Sequence, residues 1–172
     1  MRRLVDSDGM SLASVVFYTD AHRITGTIHL RERLSEALND PLTDYLELQD
    51  VRISKLVDPD LTQVQWPATV IPKNDIVIAT LDTEQHESAQ TRRDKVTQKA
   101  DTKLGCLVGT IELYGTGHIN FMSTPREVLL HQLTPFFPVT DATMLFPAAT
   151  DSRLETQLAL ANRTKLKAFA LL

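Results

Sequence analysis

The chain has 172 residues and a formal net charge of −4, with 42% hydrophobic and 23% charged residues. This length suits one domain of average size or two very small ones, and the acidic balance argues against a basic nucleic-acid-binding module. The single cysteine, Cys106, excludes an intramolecular disulfide. The basic start resembles that of a signal peptide, but the apolar stretch 12–18 is too short for one, and no window suits a membrane span. We therefore expect a cytoplasmic protein without membrane contact.

Strand and turn patterns alternate in the first half of the chain. Residues 15–19 are rich in β-branched and aromatic side chains, and residues 24–30 alternate apolar and polar positions, so both predict strands. Three apolar residues at helical spacing then predict a short helix that ends at 39–41.

A third predicted strand, 45–56, changes its alternation at Asp50, which indicates a bulge or bend. Residues 64–71 predict a fourth strand, and Pro67 within it favours an edge position or a bulge. A tight turn at 72–75 then leads to a short fifth strand.

The middle of the chain differs in composition. Residues 82–103 contain few apolar side chains and cannot bury enough surface to offset the entropy of ordering them. We expect an exposed polar linker or long mobile loop there, with a solvated helix as the alternative.

The second half is predicted to contain both strands and helices. Residues 106–113 predict a strand and 114–117 a turn, while Thr124 begins a capping box that favours a helix. A strand region follows at 136–146. A second capping box at 152–155 predicts a C-terminal amphipathic helix that extends to the last residue.

The two halves share blocks that indicate an internal duplication. The block around Gly26 matches the block around Gly109, and Asp50 aligns with Asp141. A glycine within a strand points to a bulge, a bend or close backbone approach. We read the aspartates either as a paired acidic site or, preferably, as residues that stabilise a bend through a backbone N–H.

The predicted fold class is α+β and mostly β, with two related small barrel-like antiparallel β units, short inserted helices and a C-terminal helix. The predicted divisions are a barrel unit at 12–81, a linker or mobile loop at 82–103, a second, truncated repeat unit at 104–150 and the amphipathic helix at 151–172.

The order of strands in the first half, the bent second strand with Gly26 and the tight turn with Lys73 resemble the Sm-like small β-barrel. The bacterial Sm-like RNA chaperone has Lys-His in this turn, so Lys73 matches and Asn74 replaces the histidine. The resemblance implies pairing of edge strands between subunits and a possible RNA or ligand contact at Lys73 and Asn74. A helix between the second and third strands departs from the family pattern.

A second resemblance is to short uncharacterised bacterial proteins, for which no activity is implied. The matching positions are Ile24, Gly26, Ile28, Leu30, Arg33-Leu34-Ser35, Leu38-Asn39, Leu46, Leu48 and Asp50.

No set of residues in the sequence points to catalysis, a cofactor or a metal. The five histidines lack ligand spacing, the glycines at 115–117 lack a dinucleotide fingerprint, and Cys106 lies in a predicted apolar strand. We therefore expect a non-catalytic binding or assembly module that acts through sheet edges and the C-terminal helix. We expect the module to associate with copies of itself, and the C-terminal helix is a candidate site for a different protein partner. The alternatives are an Sm-like RNA-binding protein and a small enzyme whose site is not visible in the sequence.

Overall fold

A computed structural model describes residues 10–81, 99–120, 122–147 and 152–172. Its strands form one open antiparallel sheet in the order β10-β6-β7-β8-β9-β5-β1-β2-β3-β4. The strands are β1 (Ser11–Tyr18), β2 (His22–Leu30), β3 (Tyr45–Lys55), β4 (Asp58–Pro72), β5 (Ile78–Leu81), β6 (Lys99–Val108), β7 (Ile111–Asn120), β8 (Phe136–Leu145), β9 (Arg153–Asn162) and β10 (Leu166–Leu171). The mostly β character predicted from the sequence is confirmed.

The short helices lie between the second and third strands of each half. Helix α1 (Leu34–Asn39) directs Leu34 and Leu38 into the core, as their spacing predicts. Helix α2 (Pro125–Glu127) begins with the predicted capping box and continues as a π-helical turn to Gln132. Among the described residues, no helix has the length and apolar character needed to cross a membrane.

Each half of the chain builds the same five-stranded unit. Unit A (residues 10–81) has the strand order β5-β1-β2-β3-β4, and unit B (residues 99–172, in its described parts) has the order β10-β6-β7-β8-β9. In both units a 3-10 turn joins the fourth strand to the fifth. Unit B is therefore a complete copy, and the prediction of a truncated second unit at 104–150 is wrong.

The predicted C-terminal helix at 151–172 is also wrong. Strand β9 and strand β10 occupy this region, with a 3-10 turn at Arg163–Lys165 between them. The helical spacing of its leucines is a local pattern, whereas pairing with β8, β5 and β6 is available only in the folded chain. The tertiary pairing overrides the local preference. The apolar residues of this segment form two helical stripes that do not share one face, and these stripes correspond to two strands separated by a turn. The first stripe is Leu154, Leu158 and Ala161, in β9, and the second is Leu166, Phe169 and Ala170, in β10.

Two further corrections concern the start of unit B. Strand β6 begins at Lys99, so the end of the predicted linker 82–103 is part of the sheet, while residues 82–98 lie outside the described residues. Gly109 lies in the turn between β6 and β7, with a φ of 58°, rather than inside a strand. The predicted strand 106–113 is therefore two strand ends and a turn, and the predicted turn 114–117 lies within β7.

The register of the strands corrects the alignment of the repeat. In unit A the β2–β3 ladder shifts between Thr25 and Thr27, and in unit B the β7–β8 ladder shifts between Tyr114 and Thr116. Gly26 therefore corresponds to Gly115, and the predicted match with Gly109 is wrong. The sequence alignment rests on a short block of similar residues and contains no information on which strands pair. It could therefore be displaced from the true match.

Candidate functional site

The two units are joined by a short antiparallel ladder between β5 and β9. Ala79 pairs with Leu160, and the flanking pairs are Ile78 with Ala161 and Thr80 with Ala159. We call this ladder the internal junction. It joins the fifth strand of one unit to the fourth strand of the other, so it sets the geometry in which two such units meet.

Asn162 strengthens one end of the internal junction. Its backbone N–H donates to the Val77 carbonyl at 3.0 Å, and its buried side-chain Nδ2 donates to the Ile76 carbonyl at 2.8 Å. Hydrogen-bonded pairs alternate along an antiparallel ladder, so Leu160, two residues away, also directs its backbone N–H toward β5.

Unit B completes the hydrophobic core of unit A across this junction. Leu160 and Phe136 both belong to the cluster formed by unit A, and they are only 2% and 4% exposed. Asn39 of α1 holds Phe136 in place: its Nδ2 donates to the Phe136 carbonyl at 2.9 Å, and its Oδ1 accepts from the Phe136 N–H at 2.8 Å. Unit A would lose part of its core without unit B.

The two ends of the sheet are free edges. Within the described ranges, no strand pairs with the outer side of β4 or of β10. The long edge strand β4 exposes apolar side chains that such an edge usually avoids. They are Leu61, Val64, Trp66 and Val70.

The free edges are the repeat counterparts of the strands at the internal junction. Applying the β3–β4 register to β8–β9 matches Val70 with Leu160 and Pro72 with Asn162. Applying the β1–β5 register to β6–β10 matches Ala79 with Phe169. The internal junction joins a fourth strand to a fifth strand, and the described part of the chain leaves one fourth strand, β4, and one fifth strand, β10, without a partner on the outer side. The sequence did not reveal this because its pattern assigned β9 and β10 to a helix.

Lys73, the suggested RNA or ligand residue, is buried and bonded within the chain. Its Nζ donates to the Asp40 carbonyl at 3.0 Å and to Thr43 Oγ1 at 2.8 Å. Burial lowers the pKa of Lys73, while the carboxylates of Asp40 and Asp44 act in the opposite direction. Its neighbour Asn74 is exposed in the 3-10 turn.

Unit B contains the counterpart of this lysine contact. Arg163 begins the second 3-10 turn, as Lys73 begins the first, and its NH1 donates to the Leu133 carbonyl at 2.9 Å. In each unit a buried or half-buried cation thus binds the carbonyl of the residue that follows the short helix, where cations are favoured. This contact gives Lys73 a structural role.

Asp50 and Asp141 occupy the same position in the two bulges. Both have left-handed backbones, with φ of 51° and 49°, a conformation that aspartate tolerates better than most residues. Their strands, β3 and β8, are separated in the sheet by four others, so the structure does not bring the two carboxylates together.

Little space is left for a side chain at the glycine opposite each bulge. A Cβ on Gly26 would lie 3.0 Å from the Gln49 carbonyl oxygen, and one on Gly115 would lie 2.6 Å from Val139 Cγ1. The structure therefore assigns the two glycines and the two aspartates to backbone geometry.

The described residues contain no group of three or more His, Cys, Asp or Glu side chains placed to hold a metal ion. Cys106 is buried, and burial raises the pKa of its thiol to about 12. The internal junction and the two free edges of the described sheet form the candidate site.

No family model matches this sequence, and comparisons with curated proteins and with solved structures found no significant match.

Proposed function

We propose that the protein is a non-catalytic assembly module that associates with copies of itself through the free edges of its sheet. The observation that carries this proposal is the exposure of Val70 on the long edge strand β4. Val70 is 55% exposed, whereas its counterpart Leu160 is buried at the internal junction. The apolar stretch of β4 between Pro67 and Pro72 is a template for pairing with another chain.

Two features near Val70 support association at this edge. Tyr45 pairs with Pro72 at the end of the β3–β4 ladder and is 50% exposed, although its counterpart Phe136 is buried by unit A. A surface groove of about 1220 Å³ beside the edge is lined by Tyr45 and Val70 among other residues. Covering this region would remove apolar surface from water, which is the main driving force for association.

The Sm-like resemblance of unit A adds to the proposal, because edge pairing between subunits is a property of that family. RNA binding is the less favoured function, since Lys73 already donates its hydrogen bonds within the chain. Clustered free cations are what phosphate binding requires.

The test is the mass of the protein in solution, measured by light scattering over a range of concentrations. Val70→Lys places a charge on the edge and should reduce the mass to that of one chain. Val57→Lys is the matched control, because Val57 is 54% exposed in the turn at the opposite end of β4. A wild-type protein of one-chain mass at every concentration would refute the proposal, as would an equal effect of the two substitutions.

A further inference from the structure

We infer that the occupant of the β4 edge is the β10 edge of a second copy of this chain, in the register of the internal junction. This inference rests on the proposed function and adds the partner strand and its alignment. Transferring the β5–β9 pairing to the counterpart strands places Phe169 opposite Val70 of the second copy. The flanking pairs are Ala168 with Ile71 and Ala170 with Thr69.

Unit A contributes side chains to the core of unit B, but in the described sheet the fifth strand of unit B, β10, lacks the covering strand that β5 has. Unit A buries Leu160 and Phe136 from the other unit. The corresponding side chains, Val70 and Tyr45, are exposed in the single chain, and Phe169 is only partly buried against the core of unit B. If a second copy docked on β10, its Val70 and Tyr45 would pack on the core of unit B. Leu160 and Phe136 pack on the core of unit A in the same way.

Side-chain sizes differ between the two junctions. At the internal junction the large Leu160 faces the small Ala79. At the proposed junction the smaller Val70 would face the larger Phe169. The proposed pair is the larger one, and its extra volume belongs to Phe169, which is only partly buried at the free edge.

Charge favours the pairing of β10 with β4 over the pairing of either edge with itself. The segment 163–172, which contains β10, carries Arg163, Lys165 and Lys167 and no acidic residue. The segment 40–47, which leads into β3 beside the β4 edge, carries three acidic residues, and it stays negative when Lys73, which donates to Asp40 and Thr43 of this segment, is included. Like charges would oppose two β4 edges or two β10 edges, whereas unlike charges favour the mixed contact.

The proposed junction should be weaker than the internal one. Pro72 stands where β9 has Asn162, so neither the backbone N–H bond to the Val77 carbonyl nor the side-chain bond to the Ile76 carbonyl has an equivalent. The contact is also heterologous, so each added copy leaves a free edge at either end until a ring closes. We therefore expect association that depends on concentration and reaches more than two chains.

An engineered disulfide tests the register. Thr69 and Ala170 would form a non-hydrogen-bonded pair, in which opposite Cα atoms lie about 4.5 Å apart and a disulfide can form. The double variant Thr69→Cys with Ala170→Cys should therefore form dimers and larger covalent species on a non-reducing gel after mild oxidation. The matched control, Thr69→Cys with Ala168→Cys, contains the same residue types one diagonal step out of register and should cross-link several-fold less.

The single variants separate failure of this inference from failure of the proposed function. Cross-linking of Thr69→Cys alone would show β4 paired with β4, and cross-linking of Ala170→Cys alone would show β10 paired with β10. Either result would overturn the pairing of β4 with β10 and leave the proposal of self-assembly intact. Equal cross-linking of the two double variants would have the same consequence. A wild-type mass of one chain at every concentration would remove both.

Discussion

Units A and B share one topology, one bulge and one cation contact, yet in the described sheet only unit A has its fifth strand covered by the fourth strand of another unit. Unit A receives Leu160 and Phe136 through the internal junction, whereas unit B keeps Phe169 partly exposed at a free edge. The difference shows that the fourth strand of a neighbour extends the core of such a unit at its fifth strand. It also identifies where a further copy would attach, and the first three predictions compare counterpart residues of the two units.

The largest expected effect concerns the internal junction. Leu160→Ala should lower the free energy of unfolding by about 3 kcal/mol, because it removes a fully buried side chain from the core of unit A. Val70→Ala, at the counterpart position, should cost less than about 0.5 kcal/mol in the single chain. Urea unfolding at one low protein concentration measures both. Equal losses would show that the two positions are not in different environments.

The glycines opposite the bulges come next. Gly115→Ala should cost about 2 kcal/mol, because its Cβ would meet Val139 Cγ1 at 2.6 Å and the Thr140 carbonyl oxygen at 2.8 Å. Gly26→Ala should cost about 1 kcal/mol, since its nearest contacts are the Gln49 carbonyl oxygen at 3.0 Å and Leu48 Cδ2 at 3.1 Å. Thermal unfolding of the two variants gives the order, and a larger loss for Gly26→Ala would contradict it.

The aspartates in the bulges should behave alike. Asp50→Ala and Asp141→Ala should each destabilise the protein by about 1 kcal/mol, because alanine is less tolerant of the left-handed backbone at these positions. Asp50→Gly is the control and should be neutral or slightly stabilising, since glycine adopts this conformation freely. If Asp50→Gly were as harmful as Asp50→Ala, the carboxylate itself would matter and the backbone explanation would fail.

The smallest effect is expected at Cys106 in β6. Burial raises the pKa of its thiol to about 12, so the thiol stays protonated from pH 7 to 9 and should not react with a thiol reagent in the folded protein. One thiol per chain should become reactive in denaturant. Rapid labelling of the native protein at pH 8 would show that unit B opens near β6.

Several local features could be predicted from the sequence because their causes lie within a few residues. The change of phase at Asp50 predicts a bulge, and the backbone there is left-handed. The helix starts at Leu34 and at Thr124 follow from apolar spacing and a capping box. Pro67 favours an edge or a bulge, and β4 is an edge strand whose Pro67 lies opposite Asp50, between the Gln49–Ala68 and Val51–Trp66 pairs.

The sequence by itself determined the strand-rich character, the short helices and the bulge at Asp50, since these depend on backbone preferences and nearby side chains. Only the tertiary structure decided that 151–172 forms two strands and that Gly115 is the counterpart of Gly26. A capping box and leucines at helical spacing satisfy a local helix pattern, but β9 gains pairing on both sides by lying between the units. Gly115 is required because Val139 of β8 approaches it across the sheet, a contact between residues distant in sequence. Pairing between distant segments sets the free edges for the same reason, so the candidate site emerges only in the folded chain.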